Sequence, residues 1–199
     1  MKFRKIKSAL VAMLRSFALT PTLSYDFKVD NIYYSVISKS NLTCRVTSGN
    51  TKYSGNIKIP KQVTYNKRKF NVTEIAYSAF KGCSGLNSVI IPNSVTEIGD
   101  YAFNGCSSLI SVTIGNSVTK IGRSAFYGCS ALEGVTSLAT TAPSVYEDTF
   151  SIATYLNAMV YVPIGALESH SFATCWKNFN IEENVYYGVE GIKTDGNLV

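Results

Sequence analysis

The chain has 199 residues, 46% of them apolar and 16% charged, which is enough for one domain with a substantial core. Its formal charge of +6 hints at a polyanion partner, yet five basic residues (Lys2, Arg4, Lys5, Lys7 and Arg15) lie within positions 1–24, which hold no acid. The rest carries 14 basic against 13 acidic residues, a net +1, and leaves no electrostatic footprint for nucleic acid.

Residues 1–24 read as a secretory signal: a basic start, the apolar run SALVAML and small residues at Thr22, Leu23 and Ser24. Arg15 interrupts the apolar run, and the competing reading is a basic amphipathic start that stays attached. No other stretch approaches the ~20 apolar residues of a membrane span. Residues 25–71 read as an N-terminal β cap. Asp26-Phe27, Asn31 to Ile37, Cys44 to Thr47 and Tyr53 to Pro60 alternate apolar and polar residues between Gly and Asn turns, as short strands do. Ile59-Pro60 followed by Val63-Thr64 matches Ile91-Pro92 followed by Val95-Thr96, so a partial repeat ends the cap. Tyr65 to Phe70 is read as a hairpin insertion.

Residues 72–140 are three ungapped copies of one 23-residue unit: VTEIAYSAFKGCSGLNSVIIPNS (Val72 to Ser94), VTEIGDYAFNGCSSLISVTIGNS (Val95 to Ser117) and VTKIGRSAFYGCSALEGVTSLAT (Val118 to Thr140). A fixed period in this range predicts a solenoid in which each unit buries its apolar face against its neighbours. Leu86, Val89 and Ile91 stand at L-x-x-V-x-I, as do Leu109, Val112 and Ile114; in the third copy Ser137 breaks the pattern after Leu132 and Val135. This is the strand half of a leucine-rich repeat, and the strands at Val89, Val112, Val135 and Val160 are expected to pair in parallel. The A-F-x-G-C segment that follows V-T-x-I is read as a short helical turn. Gly82, Gly105 and Gly128 suit its left-handed end, and Phe80, Phe103 and Phe126 are expected to stack inside the coil.

Residues 141–183 read as a degenerate repeat and C-terminal cap. Ala142-Pro143, Thr149-Phe150 and Val160 to Pro163 keep parts of the pattern, and Leu167 to Phe179 reads as one amphipathic helix whose Trp176 and Phe179 close the end. Residues 184–199 lack periodicity and are expected to be a loose tail.

The pattern V-T-x-I-x-x-x-A-F-x-G-C-x-x-L-x-x-V-x-I-P resembles the BspA-like (Treponema pallidum-type) leucine-rich repeat over roughly Asp26 to Glu183. Gly115 stands where that family usually has Pro. The resemblance implies a leucine-rich repeat coil with parallel strands, display on a bacterial surface as in Bacteroidales, and adhesion to host matrix proteins or other cells.

Chemistry-bearing constellations are missing from the sequence. No G-x-S-x-G, H-E-x-x-H, Walker A or G-x-G-x-x-G occurs, and the single histidine, His170, is read as a surface or capping residue. No enzyme activity, cofactor or metal is therefore expected. Cys83, Cys106 and Cys129 share one slot and should form a ladder at roughly 5 Å per coil. Buried free thiols are the favoured reading. A disulfide between neighbours fits by distance but not by direction, and a metal site would need a second ligand type at matching spacing. Cys44 and Cys175 fall in the caps, where spacing sets no partner.

The remaining candidate is surface. With alternate side chains inward, the outward positions are Ser88 and Ile90, Ser111 and Thr113, Gly134 and Thr136, then Met159 and Tyr161. Ser88, Ile90, Ser111, Thr113, Thr136 and Tyr161 form the candidate binding strip, small and weakly charged. The fold class expected is an α+β leucine-rich repeat solenoid with atypical end caps. The function expected is a non-catalytic, secreted or cell-surface module that binds a protein. The alternative is an accessory module or fragment of a longer surface protein with no binding of its own.

Overall fold

Stacked repeats demand that each strand lie beside its equivalent in the next copy, and the computed structural model has this arrangement. It describes residues 25–184; the signal expected over 1–24 and the tail beyond Asn184 lie outside the described residues. The N-terminal cap holds β1 (Phe27–Val29), β2 (Ile32–Ser38) and β3 (Thr43–Thr47), joined as an antiparallel meander. Then come β4 (Ser54–Lys58), β5 (Gln62–Tyr65) and β6 (Arg68–Ile75). β5 and β6 are the two arms of the expected hairpin. β6 runs on past position 72, so the insertion and the first repeat share one strand.

Each later repeat supplies two strands. The L-x-x-V-x-I segments form β7 (Gly85–Ile90), β9 (Ser111–Ile114) and β11 (Gly134–Ser137), and the V-T-x-I segments form β8 (Glu97–Ile98) and β10 (Lys120–Ile121). Helix α1 (Ile152–Asn157), β12 (Met159–Val162), helix α2 (Leu167–Phe172), a 3-10 turn at Trp176–Asn178 and β13 (Asn180–Glu183) complete the chain. Two sheets result. One runs β1-β2-β3-β6-β8-β10 with β5 beside β6; the other runs β4-β7-β9-β11-β12-β13. The second is parallel throughout. Val89, Val112, Val135 and Val160 sit side by side in it, as the period requires, and Ile181 of β13 adds a strand that the sequence pattern did not mark.

The core between the sheets is a column of rings. Phe80, Phe103 and Phe126 are fully buried and stack at centroid separations of 4.7 and 5.0 Å, with ring planes within 10° and 4° of parallel. Tyr53 extends the column at one end and Phe150 at the other, at 4.5 and 5.3 Å. Trp176 and Phe179 meet Phe150 edge-on and close that end. The A-F-x-G-C segments form turns closed by bonds such as Cys83 N to Phe80 O and Cys106 N to Phe103 O, not helices. Helix is scarce among the described residues: α1 and α2 have six residues each.

Gly82, Gly105 and Gly128 take φ of +66°, +72° and +77°, the left-handed values their slot requires. Gly115 has a different reason. A Cβ there would lie 2.4 Å from the Pro92 carbonyl oxygen, so the preceding coil approaches too closely for any side chain. That contact accounts for the glycine where the family usually has proline.

The cysteines are free and buried, all five of them. The Cys106 thiol donates to Phe80 O at 3.1 Å and that of Cys129 to Phe103 O at 3.2 Å, so the ladder satisfies itself against turn carbonyls. Hydrogen bonding to the Cys129 thiol, and then burial, push the Cys106 thiol up to about 12. The thiolate is the reactive form. In native protein at pH 8 Cys106 should therefore resist a thiol-titrating reagent that labels it fully after denaturation, and rapid native labelling would contradict this packing.

One expectation for the C-terminal cap needs correction. Leu167 to Phe179 is not one helix: α2 ends at Phe172, and Cys175 turns the chain at φ +67° before the 3-10 turn. The break lets Trp176 turn inward and donate its indole N–H to Pro143 O at 2.7 Å. Of the two roles read for His170, surface or capping, the structure gives it the second. It is fully buried, with Nδ1 3.0 Å from Ala166 O and Nε2 3.1 Å from Ser137 Oγ. Ser137, which breaks the apolar pattern of the third copy, is thus the partner of a histidine from the cap. A buried polar group needs such a partner, and the two meet each other's need.

Candidate functional site

Register in the second sheet sets the outward side chains in two straight rows. One row is Asn56, Ser88, Ser111, Gly134, Met159 and Asn180; the other is Lys58, Ile90, Thr113, Thr136, Tyr161 and Glu182. Their alternates (Leu86, Val89, Val112, Ile114, Val135, Val160 and Val162) are buried, as the strand period demands. All six strip residues read from the sequence lie in these rows. Ser111 is exposed, Ile90 is 43% exposed, and Ser88, Thr113 and Tyr161 are half-buried. Thr136 departs from the expectation. It points outward between Thr113 and Tyr161 but is only 8% exposed, so it offers little contact surface.

The strip is polar without being charged at its centre. Ser88 donates from Oγ to Asn56 Oδ1 at 2.9 Å, which ties the first two strands together. Charge appears only at its ends, as Lys58 and Glu182, two residues that the sequence reading left out of the strip because it stopped short of β4 and β13.

The other sheet carries a separate line of charge. Arg45, Glu74, Glu97 and Lys120 are neighbours across its strands. Lys120 Nζ is 2.8 Å from Glu97 Oε1, and Arg45 is 3.9 Å from Glu74, all four side chains being substantially solvated. The repeat slot that holds Glu74, Glu97 and Lys120 is thus a solvated face, and exposed pairs of this kind contribute little to stability. Among the described residues no group of three or more His, Cys, Asp or Glu stands where it would hold a metal ion. Nor does any described helix have the length and apolarity to cross a membrane.

Sheets of this register, with a ring column and turn glycines repeating every 23 residues, define a leucine-rich repeat protein. Residues 51–180 match the model of the BspA type leucine rich repeat region, in six copies, and the chain belongs to that family. The second sheet likewise has six strands. Among solved structures the chain is similar to a leucine-rich repeat protein from Bacteroides ovatus, at 29% identity and a TM-score of 0.58, over 80% of this chain and 38% of that one. It is also similar to a leucine rich cell surface protein from Faecalibacterium prausnitzii, at 26% identity and 0.52, over 79% and 42%. A leucine-rich repeat protein from Bacteroides capillosus matches at 25% identity and 0.58, over 68% of this chain and 96% of that one. The chain spans about two fifths of the length of the first two. No curated protein matches it.

Proposed function

We propose that this chain is a non-catalytic leucine-rich repeat solenoid that works at or outside the cell surface and binds a protein partner through the strip. In this reading residues 25–71 are the N-terminal cap with a partial repeat, 72–140 the three full repeats, and 141–183 the degenerate repeat and C-terminal cap. The observation that carries it is the two-row strip itself: half-exposed Thr113 and Tyr161, exposed Ser111 and the exposed apolar Ile90 stand on a rigid parallel sheet whose other face is committed to the core. Rigid presentation lowers the ordering cost of binding. The lone histidine has both ring nitrogens engaged in the core and is withheld from surface chemistry. Relatives that include a cell surface protein support the location, and the partner class that fits is a host matrix or cell-surface protein.

A second reading draws on the shorter span of this chain beside its first two relatives: an accessory module whose longer counterparts carry the binding. The two separate experimentally. Thr113→Glu should change stability by no more than ~0.5 kcal/mol, because the position is at the surface. Together with Tyr161→Ala it should abolish capture of the matrix protein that the unaltered chain binds in a solid-phase panel. Binding that survives both changes moves the site to the cap loops, and no binding to any matrix protein or cell favours the accessory reading.

A further inference from the structure

Among the described residues the second sheet ends in two unpaired edges, and the edges match each other. Among the described strands β4 is bonded only to β7 and β13 only to β12. Alternate backbone N–H and C=O groups of such an edge strand face away from the sheet and template a further strand. The inward column runs Ile57, Val89, Val112, Val135, Val160, Ile181. Its four central members are at most 1% exposed, while Ile57 and Ile181 at the ends are only partly buried against the core. β4 reads Asn56-Ile57-Lys58 and β13 reads Asn180-Ile181-Glu182 in the same three register positions.

We infer that β13 of one copy pairs in parallel with β4 of the next, so that the chain associates head to tail. Continuing the register by one strand sets Asn180 beside Asn56, Ile181 beside Ile57 and Glu182 beside Lys58. Each contact answers a need of the separate molecules. The two isoleucines complete the apolar column. Asn56 accepts from Ser88 through Oδ1, which leaves its amide N–H groups for the incoming asparagine. The exposed Lys58 and Glu182 form a cross-strand pair of opposite charge. Room for the strand exists, because a groove of about 480 Å³ runs along β4 beneath the β1–β2 turn. Lys28, Lys52 and Lys58 line it, with Asp30 as the one acid, so the groove is basic where the incoming strand is acidic. Edge lysines ordinarily discourage strand addition. Here the matching carboxylate stands at the opposite end of the same chain. The contact is heterologous, and repetition extends it rather than closing a dimer. Both rows of the strip would then run unbroken from copy to copy.

The test is sedimentation velocity of the full chain over a range of concentrations, with Lys58→Glu and Glu182→Lys made singly. The unaltered chain should show an average mass that rises with concentration without levelling at a dimer. Each single reversal sets like charges opposite each other at every junction and should weaken association roughly tenfold. An equimolar mixture of the two variants should restore it, because every junction between unlike variants again sets opposite charges side by side. Circular dichroism should give both variants the unaltered melting temperature, since both positions are exposed. A monomer at every concentration, association indifferent to either reversal, or a mixture no better than its components would each overturn the inference. Those outcomes would leave the β13 edge to another segment or another protein.

Discussion

Phe103→Ala should lower the stability of the fold by about 3–5 kcal/mol, the loss typical of a large aromatic removed from a core that cannot collapse around the gap. Phe103 is the third of five rings, stacked on Phe80 below and Phe126 above, and no part of it reaches solvent. Its own backbone carbonyl accepts the Cys129 thiol, so the side chain and the thiol ladder share one turn. Neighbouring coils are locked by main-chain bonds across the gap, such as Phe103 N to Ala125 O, and this limits relaxation. Because each coil touches only its neighbours, damage at the centre also uncouples the two halves. Chemical denaturation should therefore show a lower midpoint and a broader transition, whereas Phe103→Leu, which keeps most of the volume, should lose far less. A loss below about 1 kcal/mol would show that the column does not hold the coils together.

Acid should weaken the fold through His170. Burial lowers the pKa of this histidine below its ordinary 6.5, partly opposed by its bond to the Ala166 carbonyl. A group whose folded pKa is depressed binds its proton in the unfolded chain first. Stability is then fully present above pH 6.5 and falls as pH drops from there toward the lower folded value, by at most ~1.4 kcal/mol per unit. Between pH 6.5 and 5 the loss is bounded at about 2 kcal/mol on the same arithmetic. His170 is the only histidine in the chain, so no other side chain of ordinary pKa titrates in this window. His170→Gln, which keeps a polar group near Ser137, should start less stable at pH 7 yet show a nearly flat profile from pH 7 to 5. An equal slope in both proteins would assign the acid effect to other groups.

How far the fold was legible depended on the distance at which each residue finds its partner. Phe80, Phe103 and Phe126 were readable because every ring meets the same slot 23 residues away. The parallel valines, the left-handed glycines and the thiol ladder follow for the same reason. The strip was readable as a face, since alternation sends Ser111 and Thr113 outward once Val112 is inward. The exposure of its members was not: alternation sends Thr136 outward between Thr113 and Tyr161, yet it is only 8% exposed. Residues 78, 101 and 124 show a further limit. Ser78, Tyr101 and Ser124 occupy left-handed backbone in every copy, with φ of 53°, 57° and 49°, and no glycine announced it.

The 23-residue period by itself determined the repeat, the strand register and the column of rings, since a regular stack multiplies one local solution and leaves each copy no other neighbour. Tertiary structure alone decided the ends. There the chain leaves its period, and contacts are set by which cap residue reaches which coil: His170 to Ser137, Trp176 to Pro143, β13 onto β12. Such pairings satisfy single buried polar groups and open strand edges, and nothing periodic encodes them.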